Sequence, residues 1–453
     1  MLRSVASRPM SPTRPGSVRT SLLRGAVAAV AAATLVVAGG SAPAVAAPGS
    51  AGDMPTADRS AASPATADRA GVRTDLRRWS STKALRNGRR EGVTVRRGAL
   101  RIGDPVGVRR WTDAYGGGRA RRYAFGRWTS PWHRTPTTYR ELVPSWTAHT
   151  PAGTWLQVQA RARTAAGRTG GWDVVGRWAG GRLNGWHRTT QGSQRDDVAS
   201  VATDTVRTHR PATRWQLRLT LNRHVGTGRS PVVTAVGATS SGLAPDRVST
   251  SRPGVARGDV LDVPRYSQMT HAGHYPQWGG GGRAWCSPTS VAMLLGAFNR
   301  GPRPRQYSWV PDGHPQPWVD HAARLSYDHR YDGTGNWAFS TAYAGTLGMD
   351  AFVVRLSSLR AAERYIAAGI PLSLSIAFSA GELDGSPLSS TSGHLLVLRG
   401  FTRAGKPVVN DPAAASRSGV RRVYARGQLE DAWLTASAGT AYVARPRSVA
   451  LPH

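Results

Sequence analysis

A change of sequence pattern near residue 245 divides this chain of 453 residues into two parts that must fold differently. Residues 76–245 contain short runs in which large apolar and polar side chains alternate, such as WLQVQARAR at 155–163. Alternation with a period of two is typical of half-buried antiparallel strands. Residues 260–453 mix such runs with apolar side chains at helical spacing. We therefore predict a multidomain protein, with an all-β, sandwich-like N-terminal module followed by an α+β domain.

The C-terminal part alternates between helix and strand patterns. Helices are predicted over residues 287–299 and 359–368, and Gly369 is a suitable residue to end the second. Short runs of this kind are typical of an antiparallel sheet joined by tight turns. The predicted strands cover residues 370–378, 394–401, 407–410, 422–425 and 441–444.

The N-terminus has the three-part layout of a secretory signal peptide. Five arginines precede the apolar run GAVAAVAAATLVVAGG at residues 25–40, and Ala44-Val45-Ala46 provides a small-residue cleavage site. An uncleaved signal anchor is the alternative, because the apolar run is nearly long enough to span a membrane. We predict removal of residues 1–46, no transmembrane segment in the mature chain, and a secreted, extracellular or cell-wall-associated protein.

Two aperiodic segments are predicted to be linkers. Residues 47–75 are rich in Ala, Ser, Thr, Pro and Asp, and residues 246–259 are rich in Pro, Ser and Arg. Segments of this composition act as tethers that bury no core of their own. The predicted β module therefore spans residues 76–245, and the predicted α+β domain spans residues 260–453.

The β module contains a weak internal repeat. The pattern H-x-P-A-x-x-W occurs at residues 149–155 and again 60 positions later at residues 209–215. Two copies of a strand-entry motif predict a sandwich made of two related halves. The same module holds ten of the 16 tryptophans. These rings either stack on sugars, as in a glycan-binding module, or pack in the core and across strands.

The charge balance is strongly basic, with 60 Lys+Arg against 26 Asp+Glu and a formal net charge of +34. A basic surface attracts anionic polymers, so we predict association with anionic polymers of the cell envelope. No motif that reads a nucleic-acid groove occurs, and nucleic acid is not a predicted partner. A single cysteine excludes an intramolecular disulfide and any multi-cysteine metal site.

That cysteine, Cys286, begins the sequence CSPTS at the predicted start of the helix over residues 287–299. Proline is favoured at the first helical position, so Pro288 places the thiol at or beside the N-cap. There the free backbone amides and the helix dipole lower the pKa of a thiol and could stabilise an oxyanion. Cys286 is thus a candidate nucleophile. The alternative is a small buried hydrophobic residue.

A histidine and an aspartate could activate this thiol. His394 opens a predicted strand, and a turn near residues 403–406 returns the chain toward Asp411. A hairpin folded at that turn brings Asp411 within about two positions of the register of His394. An imidazole held by a carboxylate through one ring nitrogen presents the other to a thiol. The alternatives are an exposed histidine at a strand end and an aspartate in a turn.

Four sequence blocks follow one another along the C-terminal part: VPRYSQ at residues 263–268, CSPTSVAM at 286–293, GHLLVLRGF at 393–401 and VNDP at 409–412. In this order they resemble the bacteriocin-processing, double-glycine type of cysteine peptidase, and more closely its secreted bacterial relatives that lack a transporter. The resemblance covers roughly residues 260–445. It implies a papain-like cysteine peptidase domain.

The same resemblance implies a role for four residues. Cys286, His394 and Asp411 would form the catalytic triad, and a glutamine upstream of the cysteine would supply an oxyanion donor. Gln268 fits that role best, because it stands in the matching Tyr-Ser-Gln context, although it lies 18 positions before the cysteine. Gln277, in the intervening insert, is the rival donor.

Residues 307–343 lie between the cysteine and histidine blocks and are crowded with aromatic and histidine side chains. Two Asp-His pairs, at 320–321 and 328–329, suggest a metal site, but histidines eight positions apart on a helix rarely share an ion. The resemblance implies instead a papain-like helical subdomain. No metal and no other cofactor is predicted.

The sequence therefore predicts a secreted thiol hydrolase that cleaves a peptide or isopeptide bond in a peptide or protein substrate. Cys286 would attack the carbonyl carbon, His394 would transfer the proton, and Asp411 would orient His394. One alternative is a wall- or glycan-binding surface protein with an inactive peptidase-like domain. The other is a transglutaminase-like acyl transferase, which uses the same three residues.

Overall fold

The computed structural model describes residues 72–181 and 186–452. The predicted signal peptide, residues 1–46, and almost all of the predicted linker at 47–75 lie outside these ranges. Within them, no helix combines the length and the apolar character needed to cross a membrane. The described residues form a β-rich N-terminal domain and a C-terminal domain of helices and sheet, which confirms the predicted multidomain organisation.

The N-terminal domain consists almost entirely of strands, as its period-two alternation predicts. One short helix accompanies them in the described part of this domain. In chain order, the elements are β1 (Thr74–Trp79), α1 (Thr82–Arg86), β2 (Arg89–Glu91), β3 (Val93–Arg96), β4 (Ala99–Ile102), β5 (Gly107–Thr112), β6 (Ala120–Thr129), β7 (His133–His149), β8 (Thr154–Thr164), β9 (Asp173–Trp178), β10 (Gln194–Arg195), β11 (Ala199–Ala202), β12 (Thr205–His224) and β13 (Val232–Ser241).

Hydrogen bonds join these strands into one antiparallel sheet. Its main path runs β10-β11-β12-β7-β13-β4-β3, while β1 pairs with β13, β8 pairs with β12 and β9, and β6 pairs with β12, β2 and β5. The long strand β12 changes partners along its length, from β11 and β7 in its first half to β8 and β6 in its second. The prediction of a β-rich domain is confirmed. The division of this sheet into two sandwich layers stays a prediction.

The two copies of the sequence repeat occupy different structural positions. In residues 149–155 the chain leaves β7, turns and enters β8. Residues 209–215 lie inside β12, where the pairing register shifts on both sides of Ala212. The prediction of two strand entries is therefore wrong for the second copy, because irregular pairing within one strand takes the place of a turn. The tryptophans that close the two copies, Trp155 and Trp215, are both fully buried.

Core packing accounts for most tryptophans of the N-terminal domain. Trp79 packs edge-on against Trp128 and Trp215, with ring centroids 5.7 and 5.6 Å apart. Trp155 and Trp186 stack with their centroids 3.9 Å apart. All five rings are buried. Aromatic pairs of this kind stabilise a core beyond the effect of their buried area, so these tryptophans have a structural role.

The C-terminal domain combines helices with an antiparallel sheet in the strand order β14-β19-β15-β16-β17-β18. The predicted helices and strands are confirmed, with ends that differ by up to three residues, whereas β14 and α7 have no predicted counterpart. The elements are α2 (Cys286–Gly296), α3 (Pro304–Tyr307), α4 (Pro317–Ser326), α5 (Trp337–Thr346), β14 (Asp350–Arg355), α6 (Leu359–Ala367), β15 (Leu372–Phe378), β16 (Thr391–Phe401), β17 (Pro407–Asn410), β18 (Arg421–Val423), α7 (Arg426–Ser437) and β19 (Thr440–Arg445).

The two domains share a continuous core. Phe339 of α5 packs against Trp146 and Trp178 of the N-terminal domain, at centroid distances of 6.1 and 5.3 Å. A buried ion pair joins Arg355 of β14 to Glu141 of β7, with Nη1 and Oε2 2.7 Å apart. One buried apolar cluster accordingly includes residues of both domains. The N-terminal domain is therefore held directly against the helices and the sheet that carry the candidate site.

The segment predicted as a linker, residues 246–259, contains no helix or strand, and it packs on the C-terminal domain. The backbone amide of Ser251 donates to Glu430 Oε2, and that of Gly254 donates to Glu363 Oε2, each at 2.7 Å. Both glutamates are fully buried. Hydrogen bonds to buried carboxylates hold this connection in one conformation.

Candidate active site

Cys286 is the first residue of α2, and Trp285 is the N-cap. The helix thus begins one residue before the predicted start at residue 287. The thiol-bearing residue is partly exposed, while residues 287–295 behind it are buried. The backbone amides of the first helical turn have no partner within the helix, so they are free to stabilise negative charge at this end.

Two glycines allow the chain to approach this position closely. Gly281 has a φ of +80°, and an added Cβ would lie 2.6 Å from the carbonyl oxygen of His274. At Gly282 an added Cβ would lie 1.9 Å from the carbonyl oxygen of His271. Neither position has room for a larger residue. The glycine run thus fixes the segment that leads into Cys286.

His394 and Asp411 meet across the hairpin of β16 and β17. The register pairs Val397 with Asn410, which places Asp411 about two positions from the partner of His394, as predicted. His394 Nε2 lies 2.8 Å from Asp411 Oδ1. Both side chains are buried. The structure therefore brings together the two residues that the hairpin pattern indicates.

The carboxylate of Asp411 accepts two further hydrogen bonds. The hydroxyl of Tyr424 donates to Oδ2 at 2.8 Å, and the backbone amide of Ala413 donates to Oδ1 at 3.0 Å. Burial alone would raise the pKa of Asp411, but the charge of His394 and these donors hold it below its ordinary value. Sequence reasoning missed Tyr424. Its place one residue after β18, the strand beside β17, was the available signal.

The ring of His394 is the main group that lowers the pKa of the Cys286 thiol. Because Nε2 faces Asp411, the ring nitrogen left for the thiol is Nδ1. Burial would raise the pKa of the thiol, but His394 and the backbone amides of Leu395 and Ser287 lower it overall. Burial would lower the pKa of His394, but Asp411 and Cys286 raise it to about 10. These opposite shifts favour a thiolate paired with an imidazolium.

Two serines of α2 anchor the helix to its neighbours. The hydroxyl of Ser287 lies 2.9 Å from Ser340 Oγ of α5 and 3.1 Å from Tyr442 Oη of β19. The hydroxyl of Ser290 donates to Leu395 O of β16 at 3.1 Å. All of these hydroxyls belong to buried residues. The helix that carries the thiol is thus fixed relative to the sheet that carries the imidazole.

Gln268 lies beside both chain segments that lead to the thiol and the carboxylate. Its backbone amide donates to Pro412 O at 2.8 Å, and its side-chain Nε2 donates to Arg283 O. The side chain is buried, and its Oε1 has no hydrogen-bond partner in the described structure. Gln277, by contrast, is exposed. Of the two candidate donors, Gln268 therefore has the contacts expected beside the site.

Cys286 opens into a cleft of about 570 Å³. This volume lies in the range of ligand-binding clefts. Small side chains and backbone form most of the walls, which leaves the space in front of the thiol open. The small wall residues are Ala202, Gly279, Ala284, Gly333, Gly335, Ser375, Ala377, Ser392, Gly393, Ala436 and Ser437.

The N-terminal domain forms one side of this cleft. Thr203 and Asp204, in the turn between β11 and β12, line it together with Trp337 of α5. The backbone amide of Trp337 donates to Asp204 Oδ2 at 2.6 Å. Burial raises the pKa of Asp204 to about 6. Sequence reasoning missed this contribution, because a contact between residues 133 positions apart leaves no local pattern.

A separate cluster of metal-ligand type side chains comprises His271, His274 and Asp320, whose ligand atoms lie within 4.8 Å of one another. His271 Nδ1 is 3.1 Å from Asp320 Oδ2, and His274 Nδ1 is 2.8 Å from Oδ1. These three could hold a divalent cation, although the two hydrogen bonds satisfy the carboxylate without one. The Asp-His pair at 320–321 does not act as a unit, since His321 hydrogen-bonds the Tyr343 hydroxyl at 2.9 Å.

Two protein families match this chain, one in each domain. Residues 75–241 match the Peptidase C39 N-terminal domain, and residues 260–441 match the Peptidase_C39 like family. No curated protein matches the chain. The second match contains Cys286, His394 and Asp411. The resemblance drawn from the four sequence blocks is confirmed, and the chain is a relative of the C39 cysteine peptidase family.

Proposed function

We propose that this protein is a cysteine-type peptidase or amidohydrolase that cleaves a peptide or isopeptide bond. The observation that carries the proposal is the buried hydrogen bond between His394 and Asp411, together with the lowering of the Cys286 thiol pKa by that same histidine. A thiolate held beside an imidazolium is the form in which a cysteine attacks a carbonyl carbon. The match to a cysteine peptidase family and the open cleft at the thiol support the same class of reaction.

In the proposed acylation step, the sulfur of Cys286 bonds to the carbonyl carbon of the scissile amide, and an electron pair moves onto the carbonyl oxygen. His394 then donates its Nδ1 proton to the amide nitrogen as the carbon–nitrogen bond breaks and the amine leaves. In the second step, His394 takes a proton from water, which attacks the thioester. The carbon–sulfur bond breaks, the thiolate returns and the carboxylic acid leaves. Asp411 holds His394 through Nε2 throughout.

We assign the oxyanion to two donors, the backbone amide of Cys286 and Nε2 of Gln268. The position of Cys286 at the first residue of α2 supports the first donor, because that amide has no partner within the helix. The second is supported by the position of Gln268 beside Arg283 and Pro412. A side-chain amide carries two N–H groups, so the hydrogen bond to Arg283 leaves one available.

We expect Gln268→Ala to lower kcat by about 10²–10³ with a small change in KM, since an oxyanion donor acts mainly in the transition state. The matched variant Gln277→Ala should leave both constants within about twofold, because Gln277 is exposed. Steady-state kinetics on one peptide substrate would check this, with thermal unfolding of each variant as the folding control. A loss of kcat in Gln277→Ala, with Gln268→Ala near wild type, would reverse the assignment.

We further propose that the C-terminal domain has the papain-like arrangement. A helix that carries the nucleophile at its first residue packs on an antiparallel sheet, and that sheet carries the histidine on β16 and the aspartate directly after β17. The hydrogen bond from Ser290 to Leu395 O ties that helix to β16. Helices α3, α4 and α5 between the cysteine and the histidine correspond to the helical subdomain that the resemblance implies.

We also propose that the mature protein acts outside the cytoplasm. The sequence pattern of residues 1–46 supports this location. A single thiol is compatible with it as well, because the chain has no second cysteine with which to form an intramolecular disulfide. The proposed substrate is then a peptide or protein that the enzyme meets in the cell envelope or beyond it.

The two alternatives differ from a hydrolase in the products they predict: a binding protein forms none, and an acyl transferase forms a new amide. A binding protein with an inactive domain would have no need for a buried Asp411 that orients His394, so this geometry disfavours it. An acyl transferase would pass the acyl group from Cys286 to an amine and not to water. Product analysis with and without an added amine therefore separates transfer from hydrolysis.

The test is cleavage of a mixed peptide library, which includes isopeptide-linked members, with products identified by mass spectrometry. The intact protein should yield products that have gained the elements of water, and Cys286→Ala should yield none. Prior treatment with iodoacetamide should abolish cleavage in the same way. Cleavage that persists in Cys286→Ala would refute the proposal. The proposal would also be refuted if Cys286 of the intact protein were rapidly alkylated but the protein cleaved no member of the library.

A further inference from the structure

A row of arginines lies on the side of the N-terminal sheet opposite to the buried leucines of β12, beside a small buried aromatic cluster that includes Trp155. In β12, Leu217, Leu219 and Leu221 are fully buried in the core, and the residues between them point to the other side. The cross-strand register places arginines of β5, β6, β8 and β9 on that same side. We name this set the arginine face; it consists of Arg109, Arg127, Arg161, Arg163, Arg177 and Arg218.

Neutral glutamines hold three of these guanidinium groups in place. In each pair the arginine Nε donates to a glutamine Oε1 on a neighbouring strand, so the guanidinium is oriented but its charge is not neutralised. The pairs are Arg161–Gln216 at 2.9 Å, Arg218–Gln159 at 3.0 Å and Arg177–Gln157 at 3.2 Å.

Two tryptophans complete the support of the arginine face. The ring centroid of Trp172 lies 4.4 Å from the guanidinium carbon of Arg161 and 4.3 Å from that of Arg218. The ring of Trp132 lies 4.9 Å from Arg161 and 5.0 Å from Arg163. Cation–π contacts of this length restrict the rotamers of long side chains. The arginines are therefore positioned before any ligand arrives, which lowers the entropy cost of binding.

Little negative charge offsets these arginines. Among the described residues, one ion pair joins the arginine face to a carboxylate; it links Arg127 to Glu91 at 3.8 Å. Burial and neighbouring guanidinium groups lower the pKa of Arg161 and of Arg218, as expected where like charges crowd together. The arginine face is therefore a concentrated, oriented and largely uncompensated positive surface.

We infer that the arginine face binds a linear polymer of phosphodiesters, of the poly(glycerol phosphate) type. Arginine forks match phosphate oxygens in geometry and charge, and each contact releases counterions from the polymer. Guanidinium groups spread over neighbouring strands of one sheet can contact successive phosphates of an extended chain. This inference does not depend on the proposed peptidase activity, since it uses none of Cys286, His394 and Asp411.

The aromatic side chains favour a polymer without bases. Recognition of single-stranded nucleic acid relies on aromatic rings on which bases stack. On the arginine face, the rings of Trp132 and Trp172 each have two guanidinium groups over them, so these contacts compete with a base or a sugar ring. Phosphates and guanidinium groups remain as the complementary pair.

The test compares three double variants of the full chain that each lower the net charge by two. Arg161→Gln with Arg218→Gln removes two charges from the arginine face. Gln157→Glu with Gln159→Glu keeps every arginine and nearly the same side-chain volume, and it places a carboxylate against Arg177 and Arg218. The matched control is Arg119→Gln with Arg229→Gln, both at exposed positions elsewhere on the domain.

Affinity for poly(glycerol phosphate) would be measured by titration at several salt concentrations. We expect both arginine-face variants to bind about tenfold or more weakly and the control to stay within about twofold. A plot of log affinity against log salt has a negative slope. In the Arg161 and Arg218 variant this slope should become less steep by about 1.4, at about 0.7 per lost phosphate contact. Unfolding temperatures of all variants would be recorded alongside, and the glutamate variant should not unfold earlier than the wild type.

Two results would overturn the inference. An equal loss in the control variant would mean that net charge, and not the arginine face, drives binding. A DNA oligonucleotide that binds tenfold more tightly than poly(glycerol phosphate) of equal phosphate number would mean that bases are recognised. Activity on peptides is a separate readout, so failure here leaves the proposed function untouched, and binding that persists in Cys286→Ala supports the independence of the two sites.

Discussion

Alkylation of Cys286 by iodoacetamide at pH 7 is expected to fall by about a hundredfold or more when His394 is replaced by alanine. Burial alone would raise the pKa of this thiol, and His394 is the main cause that lowers it. His394→Ala removes that imidazole and its charge, while much of the burial remains. The thiol pKa then rises above its ordinary value of 9.0. At pH 7 the thiolate fraction falls about tenfold for each unit by which the thiol pKa exceeds 7.

The pH dependence gives a second test of the same pair. Because the pKa of Cys286 is lowered and that of His394 is raised to about 10, the alkylation rate of the intact protein should become level at a lower pH than that of an ordinary thiol. Peptide cleavage should decline above pH 10, since His394 then loses the proton that the leaving amine needs. In His394→Ala the alkylation rate should instead climb about tenfold per pH unit up to pH 9.

The matched control is His149→Ala, which removes an exposed histidine from the end of β7. Its alkylation profile should coincide with that of the intact protein. Denatured protein supplies the rate of an ordinary thiol. Fast alkylation at pH 7 that survives His394→Ala would contradict the ion pair. Slow alkylation of the intact protein would identify Cys286 as a core residue and would favour a binding function for the chain.

Local patterns were sufficient to predict the parts of the site that lie close in sequence. The strand beginning near His394, the turn and the return to Asp411 form one hairpin, so the register follows from the positions of Gly and Lys in the turn and from strand alternation. The start of α2 at Cys286 follows from the neighbouring proline and the apolar spacing behind it. The predicted helix starts at residue 287 and α2 starts at Cys286, a difference of one residue that local rules do not resolve.

Contacts between distant parts of the chain could not be predicted in the same way. Tyr424 reaches Asp411 from the residue after β18, and Asp204 reaches the cleft from the other domain. Neither residue belongs to a motif, because each is placed by the packing of whole elements. In the N-terminal domain, alternation gave the strands, but β12 has four partners along its length, and alternation contains no information on partner choice.

Replacement of Arg355 by methionine is expected to lower the free energy of unfolding by about 3–5 kcal/mol at neutral pH. Arg355 Nη1 lies 2.7 Å from Glu141 Oε2 and 2.5 Å from Ser241 Oγ, and its Nε donates to Thr440 Oγ1 at 3.1 Å. Both charged groups are buried at the boundary of the two domains. The variant leaves the buried Glu141 carboxylate with only the largely exposed Arg207 as an ion-pair partner. Removing one partner of a buried ion pair is destabilising because the other charge stays buried.

The sign of the pH dependence follows from Glu141. Burial would raise the pKa of this carboxyl group, but Arg355 and Arg207 lower it overall, so its contribution to stability is present above the unfolded-state pKa and is lost as the pH falls through the folded-state value. The difference between Arg355→Met and the wild type should therefore be largest at neutral pH and should shrink below about pH 4. Denaturant unfolding at several pH values would measure it.

Two further variants separate the ion pair from other effects of the substitution. Arg355→Met combined with Glu141→Leu should recover most of the stability, because no buried carboxylate then remains without its buried guanidinium partner. Arg360→Met, at an exposed position of α6, should stay within about 0.5 kcal/mol of the wild type. A full loss in the double variant would mean that Arg355 acts through packing and not through Glu141.

The same substitution also tests whether the domain boundary shapes the cleft. Arg355 and Glu141 line a cavity that shares Ala202 and Trp337 with the cleft in front of Cys286. A shift at this boundary would move the turn of the N-terminal domain that forms one wall, while the hydrogen bonds of His394 stay intact. KM for a peptide substrate should therefore rise more than kcat falls in Arg355→Met. If Arg360→Met changed KM and kcat as much as Arg355→Met does, this explanation would be contradicted, because Arg360→Met leaves the boundary unaltered.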